Sequence, residues 1–421
     1  MHRRLLLSPA LAAGLGLLLA APLHAADEPP PAAPTPIADK PGPATRALES
    51  RQPPPPPVIS TDPGIPPPAE PGGYAQREDV ARILDALSRR HGFRAEQAAA
   101  IVAQARYQPR VVQLILPTPG GAKKNWAAYR ARFVEPIRIQ AGLKFWTEHA
   151  ALLEQAEARY GVPPAIVVGV LGVETGWGSD TGNFRVLDAL ATLAFDFPTG
   201  RRDRSSYFRD ELGEFIELCL SQGLDPTAVR GSFAGAMGLP QFMPSSLRRL
   251  AVDFDGDGRI DLHGSVADAI GSVAAYLQAF GWEPRLPTHF HIEPPSDAAD
   301  LSTLLAPDIV PSFAASEMAE RGARLPEDAM KRPGLLALVK LENGEAPATL
   351  IAGTSNFYAI TRYNWSSYYA MAVIELGQAV EAARRAPPPP VLRKPAPKPA
   401  AKPAVKPAAK PAAKPANKPA R

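Results

Sequence analysis

The sequence predicts a mainly α-helical fold with a small β insertion, set between two terminal segments that do not fold. Through residues 74–385, apolar residues recur with the spacing of one helix face. After Trp282 this pattern changes to runs rich in β-branched and aromatic residues around a turn at Asn343 and Gly344, which is typical of strands. Outside these limits proline and alanine dominate, in a chain of 421 residues that contains 50 prolines.

The first 25 residues are typical of a secretory signal peptide. Two arginines precede a short apolar run, and Leu23, His24 and Ala25 form the predicted cleavage site. Pro9 interrupts the run, which is short for a membrane span; a retained anchor helix is the alternative. No cysteine lies near the cleavage site, so we expect no lipid anchor. Residues 26–73, which are rich in proline and alanine, are predicted to form a disordered linker.

The C-terminal segment 386–421 contains a lysine-proline-alanine repeat. Lysines recur every four residues from Lys394 to Lys418, and the proline in each repeat excludes a helix, so we expect a disordered tail. Its nine basic residues exceed the formal net charge of +4, so the rest of the chain is net negative. The basic pI therefore does not indicate a nucleic-acid-binding body. Attraction to an anionic polymer or membrane surface and a solubilising spacer are the two interpretations of the tail.

Helical spacing and end signals define the elements of the body, 74–385. Gly92 separates the first two helices, and Pro163 and Pro164 open an apolar helix that follows Gly161. The predicted helical segments are REDVARILDALSRRHGF, RAEQAAAIVAQAR, YRARFVEPIRIQAGLKFWTEHAALLEQAEARYG, the apolar helix, DALATLAFDFP, SSYFRDELGEFIELCLSQG, PSSLRRLAV, VADAIGSVAAYLQAFGW and SSYYAMAVIELGQAVEAA. LLALVKLENGE and ATLIAGTSNFYAITRY are predicted strands of a small β region at about 287–358. The single cysteine, Cys219, lies in an apolar helical run and is predicted to be core, not a nucleophile.

Glu174 ends the apolar helix. The nine residues before it carry no charge, and a Gly-Trp-Gly turn begins at Gly176. A carboxyl buried without a partner holds its proton more readily, because burial disfavours the charged form. A general acid needs that property near neutral pH. The alternative is an exposed last-turn residue of a buried helix, capped by local backbone.

Two further segments have the composition of a carbohydrate site. GSFAGAMGLPQFMPSS, 231–246, is dense in small residues and presents Gln241 and Phe242 before a predicted helix start. NFYAITRYNWSSYY, 356–369, contains six aromatic residues among amide and guanidinium groups. Aromatic faces with amide donors suit sugar rings. The alternatives are an ordinary helix–loop–helix connection and an aromatic core.

Four motifs occur in the order found in the membrane-bound lytic murein transglycosylase B family, which the chain resembles from about residue 74 to 383. They are GVETGWGSDTGNF, GSFAGAMGLPQFMPSS, the acidic loop DFDGDGRIDL and NFYAITRYNWSSYYAMAV. The resemblance implies a lysozyme-like helical core with an additional α region and a small β-sheet insertion. It also implies cleavage of the β-1,4 bond between N-acetylmuramic acid and N-acetylglucosamine in peptidoglycan. The muramic acid 6-hydroxyl closes on its own anomeric carbon, which leaves a 1,6-anhydro end. The family is often lipid-anchored, whereas this chain is expected to be a soluble periplasmic form.

The resemblance also implies site residues. Glu174 matches the family's single catalytic acid/base, and Ser232, Gln241 and Asn364 match polar groups of its glycan cleft. The positions that match its aromatic walls are Tyr129, Tyr276, Tyr363 and Tyr369. Ordinary glycosidases use two carboxyls, whereas substrate-assisted enzymes use one. The next carboxylate along the chain, Asp180, is assigned to a turn.

The acidic loop has the spacing of the start of an EF-hand. Asp253, Asp255 and Asp257 fall at positions 1, 3 and 5, and the Arg259 carbonyl falls at position 7. Position 12 is a glycine instead of glutamate, and the resemblance supplies Asp268 as the last ligand of a longer loop, 253–268. We expect a structural Ca²⁺ here and no cofactor for catalysis. An Asp-Gly turn without metal is the alternative.

The expected partner is therefore a peptidoglycan glycan strand, and nucleic acid is not expected. A lysozyme-type hydrolase would use the same glutamate, with water as the attacking group. A non-catalytic peptidoglycan-binding protein is a second alternative, and the intact Glu174 argues against it. A calcium-stabilised interaction module is the third alternative, and it would give no function to the helix that ends at Glu174 or to the aromatic run.

Overall fold

In a computed structural model of the chain, residues 73–116 and 124–386 are described, and they form a helical body with one four-stranded sheet. The predicted mainly α fold class is confirmed. The predicted signal peptide and nearly all of the predicted linker and tail lie outside the described residues, so these boundaries stay predictions. Of the described helices, none is both long enough and apolar enough to cross a membrane.

Sixteen α-helices occur in the described residues. In chain order they are α1 (Glu78–His91), α2 (Ala95–Val102), α3 (Pro109–Ile115), α4 (Trp126–Arg130), α5 (Pro136–Glu148), α6 (Ala150–Tyr160), α7 (Pro164–Thr175), α8 (Val186–Phe195), α9 (Ser205–Gln222), α10 (Pro244–Leu250), α11 (Val266–Ala279), α12 (Ala298–Leu305), α13 (Ala315–Glu320), α14 (Glu327–Met330), α15 (Ser355–Thr361) and α16 (Ser367–Arg385). The six strands are β1 (Phe184–Arg185), β2 (Arg230–Gly231), β3 (His289–His291), β4 (Phe313–Ala314), β5 (Leu335–Asn343) and β6 (Ala346–Gly353).

Helix α7 is buried on nearly all sides. Every residue from Ala165 to Val173 is buried, which explains the absence of polar residues in that run. Its main partner is α16, and glycines permit the close approach. A Cβ on Gly169 would lie 2.2 Å from the Val373 carbonyl oxygen, and one on Gly377 would lie 2.0 Å from that of Ala165. The predicted apolar helix is thus the centre of the helical core.

The larger sheet is antiparallel with strand order β3-β6-β5-β4. Strand β5 is buried on both faces. Leu336 and Leu338 pack in a small outer cluster with α12 and α13, whereas Val339 and Leu341 join the main helical core. This explains the nearly continuous apolar run LLALVKL. A turn with Gly344 at φ 68° connects β5 to β6, where the sequence predicts it.

The prediction of one strand through ATLIAGTSNFYAITRY is wrong in its second half. Strand β6 ends at Gly353, and helix α15 begins at Ser355. Thr354 caps this helix, because its hydroxyl oxygen accepts a hydrogen bond from the Asn356 backbone N–H at 3.1 Å. The buried Asn356 amide in turn bonds the backbone of Glu283 and Leu286. The aromatic residues of this segment pack against the core as part of helix α15, and this tertiary packing overrides their propensity for strands.

Cys219 lies where the sequence predicts it, buried in α9. Burial raises the pKa of its thiol to about 12, so the thiolate is scarcely populated near neutral pH. Helices α12 to α14 were not predicted, since they are short and follow a change of periodicity.

We predict that Gly169→Ala destabilises the protein by about 2 kcal/mol, because the added methyl group meets the α16 backbone. Elsewhere the same change inside a helix stabilises by roughly 0.5–1 kcal/mol. Gln378→Ala, at an exposed position of α16, is the matched control and should change stability by less than about 0.5 kcal/mol. Urea unfolding measures both; a Gly169→Ala variant as stable as the wild type would contradict the close helix contact.

Candidate active site

The end of α7 is fixed by a backbone turn. Gly176 adopts φ 56°, its N–H donates to the Gly172 carbonyl at 3.2 Å, and the Trp177 N–H donates to the Leu171 carbonyl at 3.0 Å. Trp177 itself has φ 57°, which is unusual for a residue with a side chain. Its indole N–H donates a hydrogen bond to the Val168 carbonyl at 3.0 Å. The turn thus folds back under α7 and sets the direction of the preceding Glu174.

Thr175 attaches this helix end to the loop 231–243. Its fully buried hydroxyl donates to the Leu239 carbonyl at 2.9 Å and accepts from the Gly178 N–H at 3.0 Å. Leu239 is also bonded to the acidic loop, since its N–H donates to the Leu262 carbonyl at 2.8 Å. Thr175 was not predicted as a site residue; its one signal in the sequence is a hydroxyl next to the candidate carboxylate.

Glu174 is mostly enclosed and has no cation beside it. Within the described part of the chain it forms no ion pair, and its hydrogen-bond donor is Tyr369, whose hydroxyl lies 2.5 Å from Oε1. Burial raises the pKa of Glu174 from 4.5 to about 7, although the hydrogen bond from Tyr369 acts in the opposite direction. The carboxyl is therefore about half protonated at neutral pH, and it can both give and accept a proton there.

The four tyrosines predicted from the resemblance lie around this carboxyl. Burial is the main cause that raises the pKa of all four, and the negative charge of Glu174 adds to it in each case. The Tyr363 ring stacks on Tyr369 at 6.2 Å and contacts Tyr276 at 4.7 Å. Tyr129, Tyr276 and Tyr369 are almost fully buried, so Tyr363 is the ring with most surface left for a ligand.

The hydroxyl groups of these tyrosines differ in their hydrogen bonding. Tyr363 donates to the Pro240 carbonyl at 2.6 Å, and Tyr276 donates to the Arg362 carbonyl at 2.6 Å. The Tyr129 hydroxyl is buried and has no hydrogen-bond partner among the residues described. The aromatic cluster therefore holds the loop after α15 against the loop 231–243.

The polar residues predicted for the cleft retain free hydrogen-bonding capacity. The Ser232 hydroxyl oxygen accepts from the Ala236 N–H at 3.0 Å, so its own proton is available. Gln241 adopts φ 51°, and its side-chain amide donates to the Thr181 and Gly238 carbonyls at 3.1 and 2.9 Å. This leaves its carbonyl oxygen free to accept. Asn364 is half-buried, and its side chain has no hydrogen bond within the described residues.

The acidic loop brings three of its predicted ligands together. Asp253, Asp255 and Asp268 place one carboxylate oxygen each within 4.8 Å of one another. Ca²⁺ binds oxygens at 2.3–2.6 Å, so ligands on opposite sides of one ion are up to about 5 Å apart. These three side chains therefore fit that ion. Asp257 is not part of this close group, and its carboxylate accepts from the Arg259 N–H.

Two aspartates of the loop also accept hydrogen bonds from backbone N–H groups of the same loop. Asp268, at the start of α11, accepts from the Phe254 and Asp261 N–H groups at 2.8 Å each. Asp253 accepts from the Gly256 and Gly258 N–H groups at 2.7 and 2.8 Å. The loop thus presents its carboxylates from a fixed backbone.

Comparison with known proteins shows the family of the chain. Residues 75–378 match the family model described as the transglycosylase SLT domain. Membrane-bound lytic murein transglycosylase B of Escherichia coli (strain K12) is 39% identical over 325 residues, which are 74% of this chain and 85% of that protein.

Solved structures match the same region. Catenated lytic transglycosylase SltB1 from Pseudomonas aeruginosa aligns with a TM-score of 0.66 and 39% identity, over 74% of this chain and 99% of that one. Escherichia coli Slt35 in complex with calcium aligns with a TM-score of 0.63 and 38% identity, over 74% and 96%. SltB3 from Pseudomonas aeruginosa in complex with NAG-anhNAM-pentapeptide aligns with a TM-score of 0.60 and 29% identity, over 71% and 79%.

We predict that Glu174→Gln stabilises the protein above neutral pH. Because the pKa of Glu174 is raised in the folded state, its contribution to stability is fully present below about pH 4.5 and is lost as the pH rises through about 7. The difference in unfolding free energy between variant and wild type should therefore grow by about 2 kcal/mol from pH 4 to pH 8, allowing for the part of the carboxyl that stays open to solvent.

Chemical denaturation at a series of pH values measures this difference. Glu320→Gln, at an exposed carboxylate, is the control for the replacement of a carboxylate by an amide as such. A flat profile for Glu174→Gln would mean that the carboxyl ionises normally.

Proposed function

The chain belongs to the transglycosylase SLT domain family, and on that basis we propose how its residues act in the reaction. It is a peptidoglycan lytic transglycosylase, which cleaves the β-1,4 bond between N-acetylmuramic acid and N-acetylglucosamine and forms 1,6-anhydromuramic acid ends. The observation that carries the assignment of roles is the enclosed Glu174 carboxyl, with a pKa of about 7 and a tyrosine hydroxyl on Oε1.

Glu174 acts first as an acid. Its proton passes to the glycosidic oxygen as the bond to the muramic acid anomeric carbon breaks, and the N-acetylglucosamine portion leaves as an alcohol. The carboxylate formed in this step keeps its hydrogen bond from Tyr369, which is a stronger bond to a charged acceptor than to a neutral one. This bond offsets part of the cost of a buried negative charge.

Glu174 then acts as a base. It takes the proton of the muramic acid 6-hydroxyl, whose oxygen bonds to the anomeric carbon and closes the 1,6-anhydro ring. The carboxyl returns to its protonated form, so the cycle consumes no water and no net proton. A pKa near 7 suits both steps, because it makes neither proton transfer strongly unfavourable.

One carboxyl is sufficient for this sequence of steps, since the substrate supplies the attacking group. Asp180 supports the turn after α7, where its carboxylate accepts from the Gly182 N–H at 3.0 Å. A second catalytic role for Asp180 is therefore not proposed.

The free hydrogen-bonding groups of the cleft bind the sugars. Ser232 can donate, Gln241 can accept through its side-chain carbonyl, and Asn364 can do both. Tyr363 offers the most accessible ring for a sugar face, and the rings of Tyr276 and Tyr369 pack against it. SltB3 binds NAG-NAM-pentapeptide and NAG-anhNAM-pentapeptide, and we extend that ligand class to this chain.

The protein acts in the periplasm, where the predicted signal peptide 1–25 would deliver it to its substrate. A structural Ca²⁺ bound by the acidic loop would steady the loop 231–243, which is joined to it by the hydrogen bond from the Leu239 N–H to the Leu262 carbonyl. Its proposed ligands are Asp253, Asp255, Asp257, the Arg259 carbonyl and Asp268. Escherichia coli Slt35 has been solved with calcium, which supports this choice of metal.

Mass spectrometry of products from purified murein sacculi tests the reaction. The wild type should release fragments with 1,6-anhydromuramic ends, and Glu174→Gln should lower their rate by at least about 1000-fold, because it removes the proton donor and acceptor together. Reducing ends would identify a lysozyme-type hydrolase. No products from the wild type would favour a peptidoglycan-binding protein, and undiminished cleavage by the variant would refute the role of Glu174.

Calcium removal tests the acidic loop. In excess Ca²⁺ we predict a rise in Tm of about 5 °C for the wild type, from a binding free energy of about 2–3 kcal/mol, and its loss with EDTA. Asp253→Asn should abolish the calcium-dependent rise, since Asp253 is one of the three grouped carboxylates. Mg²⁺ at the same concentration is the ion control. An equal rise in both proteins would place the ion elsewhere.

A further inference from the structure

A cationic pocket lies beside the cleft and has no role in the chemistry described so far. It is open, about 440 Å³ in volume, and lined by Gln104, Arg106, Arg185, Thr227 and Arg230. Three guanidinium groups in one pocket stand out in a chain whose residues outside the tail are net negative.

These guanidinium groups are incompletely neutralised by the protein. The Arg106 side chain has no hydrogen-bond or ion-pair partner among the described residues, and Arg230 donates to two backbone carbonyls, of Thr227 and Ala228. Arg185 lies 3.5 Å from an Asp188 carboxylate oxygen and donates to the Gln104 carbonyl at 3.1 Å, and its Nε is buried without an acceptor.

The nearby acidic groups do not balance this charge. Buried Asp188 also accepts hydrogen bonds from the Arg106 backbone N–H and from the Gln108 side chain, so both of its carboxylate oxygens have partners besides Arg185. Asp225 is exposed and bonded to Thr227, and the charge of Arg185 contributes to lowering its pKa after those hydrogen bonds. Both carboxylates thus interact with Arg185, and within the described residues neither is paired with the side chain of Arg106 or Arg230.

The pocket is joined to the cleft by the two-stranded sheet. Arg185 and Arg230 are cross-strand partners in β1 and β2, so their side chains leave the same face. The next residue in β2 is Gly231, whose carbonyl packs against Gly182, and Ser232 of the cleft follows. Two residues of extended chain span about 7 Å, so Arg230 lies within about one sugar length of the cleft wall.

We propose that this pocket binds the C-terminal carboxylate of a peptide stem on the glycan strand held in the cleft. The inference rests on the proposed function, since it requires a peptidoglycan strand at Ser232. A pentapeptide stem extends at most about 17 Å from its sugar, which exceeds the roughly 7 Å of extended chain between Ser232 and Arg230. Guanidinium groups pair with carboxylates through two parallel N–H···O bonds, and Arg106 and Arg230 have N–H groups free for that geometry.

The pocket therefore selects strands that carry stems. Binding at the pocket adds affinity without contact to the reacting bond, so it should lower KM for stem-bearing strands and leave kcat unchanged. It should also weaken as salt is added, because both arginines are exposed.

Steady-state kinetics on two forms of one substrate test this. Glycan strands with intact stems are compared with the same strands after an amidase has removed the stems. For Arg106→Ala/Arg230→Ala, KM on stem-bearing strands should rise 5- to 10-fold with kcat unchanged, and neither constant should change on stem-free strands. Arg332→Ala, at an exposed arginine with no described partner, is the control and should behave as the wild type.

A pair of competitors tests the carboxylate itself. An N-acetylmuramyl pentapeptide with a free C-terminus should inhibit the wild type 5- to 10-fold more strongly than its C-terminal amide, and the two should inhibit the double variant equally. Equal inhibition of the wild type, or a KM change of the same size on both strand forms, would overturn the proposal. Absence of 1,6-anhydro products from the wild type on either strand would instead overturn the proposed function, so the two failures are distinguishable.

Discussion

The site depends on a carboxyl group held inside the protein without a cation. Glu174 follows nine buried apolar residues, and a tyrosine hydroxyl is its hydrogen-bond donor. A guanidinium or ammonium at the same place would stabilise the carboxylate and lower its pKa, with each unit equal to about 1.4 kcal/mol. The enclosed site therefore needs neutral donors. Tyr369 meets this need, because it can stabilise the charged form for part of the cycle without fixing it permanently.

Holding such a group in place requires rigid support, since a flexible helix end would turn the carboxyl toward water. Three contacts provide it. Helix α7 is packed against α16 through glycine contacts, Thr175 is bonded to the Leu239 carbonyl, and the Leu239 N–H is bonded to Leu262 of the acidic loop. The acidic loop is thus two hydrogen bonds away from the residue next to Glu174. A metal ion bound there would steady the cleft without taking part in proton transfer.

Much of this arrangement could be predicted from the sequence. The helix containing Glu174 was predictable because an uninterrupted apolar run between two prolines and a Gly-Trp-Gly turn has few other structures open to it. The approach of Asp253 and Asp255 was predictable because their EF-hand spacing lies within one short segment, whereas Asp268 was expected only from the resemblance to the family. The extent of the second strand was not, because Thr354 and Asn356 make a helix start through bonds to residues about 70 positions away. Thr175, similarly, acquires its role from Leu239, which no local pattern connects to it.

The two charged features of the molecule also constrain each other. A substrate that carries carboxylates needs cationic groups to bind them, yet a cation close to Glu174 would remove its acid function. The short β1–β2 sheet resolves this conflict, because it places Arg185 and Arg230 beside the cleft, and neither contributes to the pKa of Glu174. In the proposed binding mode, recognition of negative charge and proton transfer are separated in space, so each can be altered by substitution without the other. Such a separation would let KM and kcat respond to different residues.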